Sequence, residues 1–121
     1  MPTLRIALAQ VNPCVGDIAG NTALVLDACR AADAAGAHLV LLPEMVVTGY
    51  PIEDLALRES FQRAADAAVG SIVSSLAAEG LGELTVVVGS LGTVPNGQPT
   101  NRAFVISHGE IVATYDKHHL P

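Results

Sequence analysis

The segment Leu39-Val40-Leu41-Leu42-Pro43-Glu44 decides how the chain is read. Four consecutive apolar residues, stopped by a proline and followed at once by a carboxylate, describe a strand that runs into a loop carrying a charge. Working backwards, residues 17–35 have helical spacing, with Val25, Ala28, Cys29 and Ala32 on one face. Asp17 suits the N-cap of that helix and Gly36 the C′ position that ends it. Further back, residues 3–9 alternate Leu4, Ile6 and Leu8 with Arg5, Ala7 and Ala9. That pattern is a strand whose small second face allows it to be covered on both sides. Strand, helix and strand predict a parallel pair joined by a right-handed crossover.

Forwards from Glu44, residues 43–57 form a loop with Gly49, Pro51 and one helical turn at 52–56. A second amphipathic helix spans Glu59–Ala78, with Phe61, Ala65, Ala68, Val69, Ile72 and Leu76 on one stripe and Gly80 and Gly82 ending it. Residues 84–91, containing Thr85-Val86-Val87-Val88, make a third strand, and 92–100 a loop rich in proline and glycine. Residues 102–107 and 110–115 are two strands joined by His108-Gly109, a two-residue hairpin connection. The order β-α-β-α-β-β-β predicts an α/β fold whose last strands pair antiparallel. The final Asp116-Lys117-His118-His119-Leu120-Pro121 reads as a turn on the way to more chain, so a truncated chain is expected.

Composition narrows the class. With 121 residues, 50% hydrophobic and 15% charged, the chain is one folded domain at most. Its only aromatics are Tyr50, Phe61, Phe104 and Tyr115, so the core is aliphatic. The net charge is −6 and basic residues are scattered singly, which argues against a nucleic-acid partner. There is no signal-peptide pattern and no apolar run of bilayer-spanning length, so no membrane partner and a cytoplasmic location are expected. Cys14 and Cys29 are too few for a disulfide scaffold, and two free thiols are expected.

Two charges stand out. Glu44 follows the end of an apolar strand, and in open α/β sheets the ligand crevice lies outside such ends. Beside Leu42, Met45 and Val46 it is expected to be partly desolvated, with a pKa raised toward that of a general base; the plain alternative is a solvated loop glutamate. Lys117 follows another strand and could stabilise an oxyanion, or be a surface charge beside Asp116. Cys29, on the apolar helix face, reads as a small core residue. Cys14 lies in the loop after the first strand, near the crevice edge. His38, His108, His118 and His119 lack metal-ligand spacing, so no metal site is expected, and no phosphate-binding glycine motif is present. Asp17, Glu53 and Asp54 suit helix N-termini. Spacing alone yields two suggestive charges and no mechanism.

A resemblance supplies one. Leu41-Leu42-Pro43-Glu44-Met45-Val46-Val47-Thr48-Gly49-Tyr50-Pro51 resembles the first catalytic motif of the nitrilase superfamily of carbon–nitrogen hydrolases. Residues 5–10 are similar to that family's opening strand, and Val15-Gly16-Asp17-Ile18 with Asn21 to its following turn. Asn101 with Arg102-Ala103-Phe104 resembles the strand before the second motif, and Tyr115-Asp116-Lys117-His118-His119-Leu120-Pro121 resembles that motif itself. The resemblance implies an αββα sandwich and a Glu–Lys–Cys triad, with Glu44 as general base and Lys117 holding the tetrahedral intermediate. It places the cysteine beyond the lysine, so neither Cys14 nor Cys29 matches the nucleophile.

A finer likeness, in Gly49-Tyr50-Pro51-Ile52-Glu53-Asp54-Leu55-Ala56-Leu57 and Lys117-His118-His119-Leu120-Pro121, is to the glutaminase domain of glutamine-dependent NAD synthetases. By that likeness residues 1–121 are the N-terminal portion of a carbon–nitrogen hydrolase domain. It implies a small amide, glutamine, as substrate, and the superfamily resemblance implies a homo-oligomer for the complete protein. No cofactor is expected here, and ATP and Mg belong only to a separate synthetase domain. The chain by itself is expected to be inactive and poorly soluble. The alternatives are part of a stand-alone amidase, nitrilase or carbamoylase, and a short non-catalytic binding module.

Overall fold

A computed structural model describes residues 2–95 and 97–117. Their elements are β1 (Ile6–Leu8), α1 (Ile18–Ala34), β2 (Leu39–Leu41), a 3₁₀ turn (Glu53–Leu57), α2 (Glu59–Ala78), β3 (Thr85–Thr93), β4 (Pro99–Ser107) and β5 (Glu110–Asp116). The strands form one sheet in sequence order. β1, β2 and β3 are parallel, and β4 and β5 add antiparallel. This is the α/β order that the sequence predicts.

The helices form for local reasons. The Asp17 carboxylate accepts the Gly20 N–H at 3.0 Å, capping α1 as expected. Gly36, at φ 79°, closes it. Both helices lay their apolar stripes on one face of the sheet, where Val25, Cys29, Val69, Ile72 and Leu76 pack against Val40, Val86, Val88, Phe104 and Ile106. His108 and Gly109 both have positive φ, 52° and 76°, the requirement of the tight hairpin turn between β4 and β5.

Three expectations need correction. The β1 strand is only Ile6–Leu8 and is not covered on both sides, with Leu8 70% exposed. The helical turn near residue 52 is a 3₁₀ turn displaced to Glu53–Leu57. The loop expected at 92–100 shrinks, because Gly92 pairs with Thr100 and Thr93 with Pro99. Glycine and proline read as loop formers, yet Gly92 lies inside the strand with the Arg102 side chain packed over it, its Nε 2.6 Å from where a Cβ would stand.

Candidate active site

The sheet brings two distant segments to one end. β5 is antiparallel to a strand that is itself antiparallel to β3, so β2, β3 and β5 all point the same way. Glu44, just past β2, and Lys117, just past β5, therefore emerge on the same edge. Two strands lie between them, and at about 4.8 Å per strand their backbones would stand about 14 Å apart.

Local packing closes that gap. The main chain of Pro43–Met45 crosses directly over Gly89 of β3: a Cβ on Gly89 would lie 2.6 Å from Met45 N and 3.1 Å from Pro43 O. The loop is fixed there from both ends, by Leu42 N–H to Val87 O (3.0 Å) and Val47 N–H to Gly89 O (3.1 Å). Met45 takes φ 55°, unusual for a side-chain-bearing residue, and is buried with Ile52, Ala65 and Leu91. From the other side, Asn21 of α1 donates to Val47 O at 3.0 Å and to Cys14 O at 2.8 Å, tying two loops to one helix.

Lys117 Nζ then reaches Glu44 Oε1 at 3.1 Å. Both charges border a cavity of about 220 Å³ whose walls include Val87, Gly89, Asn101, Ala103 and Tyr115. It opens on the sheet face away from the helices. Its size suits a small polar group better than the about 300–1,000 Å³ pockets that take larger ligands.

The electrostatics differ from the sequence expectation. Glu44 is not desolvated enough to raise its pKa, because its side chain is 53% exposed. The hydrogen bond from Lys117 holds its carboxyl below the ordinary glutamate value, opposed by partial burial and helped by a hydrogen bond from Asn101. Lys117 is paired with Glu44, while the Asp116 carboxylate takes the Arg102 guanidinium at 2.7 Å. Cys29 is buried, and burial pushes its thiol up to about 11, as fits a core residue. Cys14 is exposed and borders neither this cavity nor the adjoining one. Asp17 caps α1, while Glu53 and Asp54 open the 3₁₀ turn. His38 Nδ1 accepts the Arg5 N–H at 2.8 Å, a structural bond between strand ends. His118 and His119 lie outside the described residues, among which no cluster of metal-binding side chains occurs. No helix among them is long and apolar enough to cross a membrane.

Gly89 and Asn101 were given no role by sequence reasoning. Gly89 did carry a signal, since a glycine closing a β-branched run marks a close backbone approach.

The chain is similar to known proteins in sequence and in fold. The chain is 41% identical over 118 residues to a glutamine-dependent NAD(+) synthetase of Rhodobacter capsulatus, covering 97% of this chain and 20% of that protein. It spans about a fifth of the length of the curated relatives it matches. A glutamine-dependent NAD(+) synthetase structure from Cytophaga hutchinsonii superposes with a TM-score of 0.89 at 28% identity, over 99% of this chain and 20% of that one. An amidase from Nesterenkonia sp. superposes with a TM-score of 0.79 at 30% identity, over 98% of this chain and 44% of that one. The five-stranded sheet with its two helices thus corresponds to the N-terminal part of the nitrilase-type fold. With the carbon–nitrogen hydrolase family model matching residues 5–121, the chain belongs to the carbon–nitrogen hydrolase family.

Proposed function

We propose that residues 1–121 are the N-terminal portion of a glutamine amidohydrolase domain whose ammonia feeds an ATP- and Mg-dependent amidation of deamido-NAD to NAD. The observation that carries the hydrolytic part is the 3.1 Å contact between Lys117 Nζ and Glu44 Oε1 at the edge of a small cavity. The likeness to glutamine-dependent NAD(+) synthetases over nearly the whole chain supports the rest. A cytoplasmic, homo-oligomeric complete enzyme belongs to the same reading.

In this reading Glu44 is the general base and Lys117 the electrostatic stabiliser. Neither Cys29, buried and protonated, nor Cys14, away from the cavity, serves as nucleophile. The thiol comes from the longer protein. Its proton passes to Glu44 as sulfur bonds to the carboxamide carbon, and Lys117 stabilises the oxyanion. Collapse breaks the C–N bond, and the proton held by Glu44 leaves with ammonia. Water, deprotonated by Glu44, then attacks the thioester carbon; the C–S bond breaks, glutamate leaves, and the proton on Glu44 returns to the sulfur.

The test uses the full-length protein with ATP and deamido-NAD. NAD should form from glutamine or from ammonia in the wild type, and from ammonia only in Glu44→Gln. Glutamine hydrolysis without any NAD formation would sink the assignment and favour a stand-alone amidase. The comparable superposition of the Nesterenkonia amidase gives that second reading its support.

A further inference from the structure

Asn101 lies where the parts of the candidate site meet. It stands opposite Leu91 of β3, and its neighbour Arg102 pairs in register with Asp116 of β5. Its main-chain carbonyl accepts the Lys117 N–H at 2.9 Å, extending the β4–β5 ladder one residue beyond β5. Its side chain shares the wall of one cavity with Glu44 and Lys117, and it helps hold the Glu44 carboxyl below its ordinary value. It also borders both the 220 Å³ cavity and a neighbouring one of about 370 Å³ lined by Met45, Tyr50, Ile52 and Leu91.

The surroundings make this placement rigid. Arg102 grips Asp116 through two bonds, Nε to Oδ1 at 2.7 Å and Nη2 to Oδ2 at 3.0 Å, and Thr100 Oγ1 donates to the same Oδ1 at 2.7 Å. Residues 100 and 102 thus lock the end of β5 from one face, while Asn101 points to the other, where the charges are.

We propose that Asn101 is a positioning residue for the Glu44–Lys117 pair, fixing the lysine through its main-chain carbonyl and the carboxylate through its carboxamide. The inference rests on the reading of Glu44 as general base. The main-chain half is available to any residue at position 101. The side-chain half needs a short neutral N–H donor. Alanine has no donor there, and aspartate would set a second negative charge beside Glu44. An N–H bonded to a carboxylate favours its ionised form, so losing that bond shifts Glu44 titration upward.

The experiment compares wild type, Asn101→Ala and Asn101→Asp in the full-length protein, following glutamine hydrolysis against pH. Asn101→Ala should lower kcat about tenfold while KM moves less than about threefold, the scale of one charge-assisted hydrogen bond. The acid limb of kcat/KM should move to higher pH, and further still in Asn101→Asp. A rate loss with an unmoved acid limb overturns the proposal. A thermal double-mutant cycle of Asn101→Ala with Glu44→Ala gives a readout independent of turnover. The double variant should lose less Tm than the two single losses added together, and strict additivity overturns the proposal. If the wild type hydrolyses no amide, the reading of Glu44 as base fails, while the cycle still decides the contact.

Discussion

Lys117 Nζ donates to Glu44 Oε1 at 3.1 Å across 73 residues of sequence. Three features make that contact: the common direction of β2 and β5, the bare Cα of Gly89 under the Glu44 loop, and the extra β4–β5 ladder bond from Lys117 to Asn101. The pair is open to solvent, with 42% and 53% of the two side chains exposed. Its worth as a fold-stabilising ion pair is therefore small, within about 0–1 kcal/mol. Its consequence lies in what it does to Glu44: the carboxylate is kept ionised and aimed.

Replacing the lysine should reverse that effect. Glu44 is held below its ordinary value chiefly by the Lys117 hydrogen bond. A depressed carboxyl contributes stability that is fully present above its unfolded pKa, about 4.3, and lost as pH falls through the lower folded value. Lys117→Met should therefore lower the melting temperature slightly at pH 7, and the gap to wild type should close toward pH 3. A gap that widens on acidification would show that the lysine stabilises something other than this carboxylate.

Gly89→Ala should be far more damaging than its size suggests. The added Cβ would meet Met45 N at 2.6 Å, Pro43 O at 3.1 Å and Glu44 C at 3.2 Å, all main-chain atoms that move only if the loop moves. Overpacking of this kind costs about 1–3 kcal/mol. Displacing Glu44 by an ångström would cost full-length activity about a hundredfold. Gly70→Ala is the control, since a Cβ there meets nothing within 4 Å in the middle of α2. It should raise stability by about 0.5–1 kcal/mol with unchanged activity. Equal effects of the two substitutions on activity would remove the claim for Gly89.

These residues also show what the sequence could reveal. The bounds of α2, the Asp17 cap, the parallel β1–β2 pair and the His108-Gly109 turn were legible because each depends on residues close in sequence. The Glu44–Lys117 contact was not legible from spacing, since it depends on strand direction across the sheet; the motif resemblance alone linked the two. The pKa of Glu44 was misjudged because apolar neighbours in sequence, Met45 and Val46, turn into the core while the carboxylate turns out. The reach of β3 and β4 through Gly92 and Pro99 was hidden because both residues signal loops unless their strand partners are known.

Asn21 should be the polar residue the fold can least lose. It is 1% exposed, and its amide makes three bonds: from Cys14 N–H at 2.8 Å, to Cys14 O at 2.8 Å and to Val47 O at 3.0 Å. Asn21→Leu would strip the Cys14 N–H and Val47 O of these bonds in part-buried surroundings, while Cys14 O keeps its bond from the Asp17 N–H at 3.1 Å. The loss should be about 2–4 kcal/mol, since each orphaned group costs about 1–3 kcal/mol. Thermal unfolding measures it, and a change below about 0.5 kcal/mol, the usual range of surface substitutions, would mean the loops are held by other contacts.

The 121 residues expressed alone should self-associate. Both helices cover one face of the sheet, and the opposite face presents Ile6, Leu8, Leu41 and Tyr115, the last 62% exposed. β1 and β5 are also unpaired along their outer edges among the described residues. An apolar face beside two open edges is a template for association. The isolated chain should therefore sediment as a distribution of oligomers, and Leu8→Lys, which charges the bare face, should shift it toward monomer. It should also hydrolyse no glutamine, because a base and a lysine without a positioned thiol form no acyl-enzyme. A monodisperse monomer with a sharp melt would show that the bare face is tolerated in water. Turnover abolished by Glu44→Gln in the isolated chain would place a nucleophile within these residues and overturn the division of labour proposed for the site.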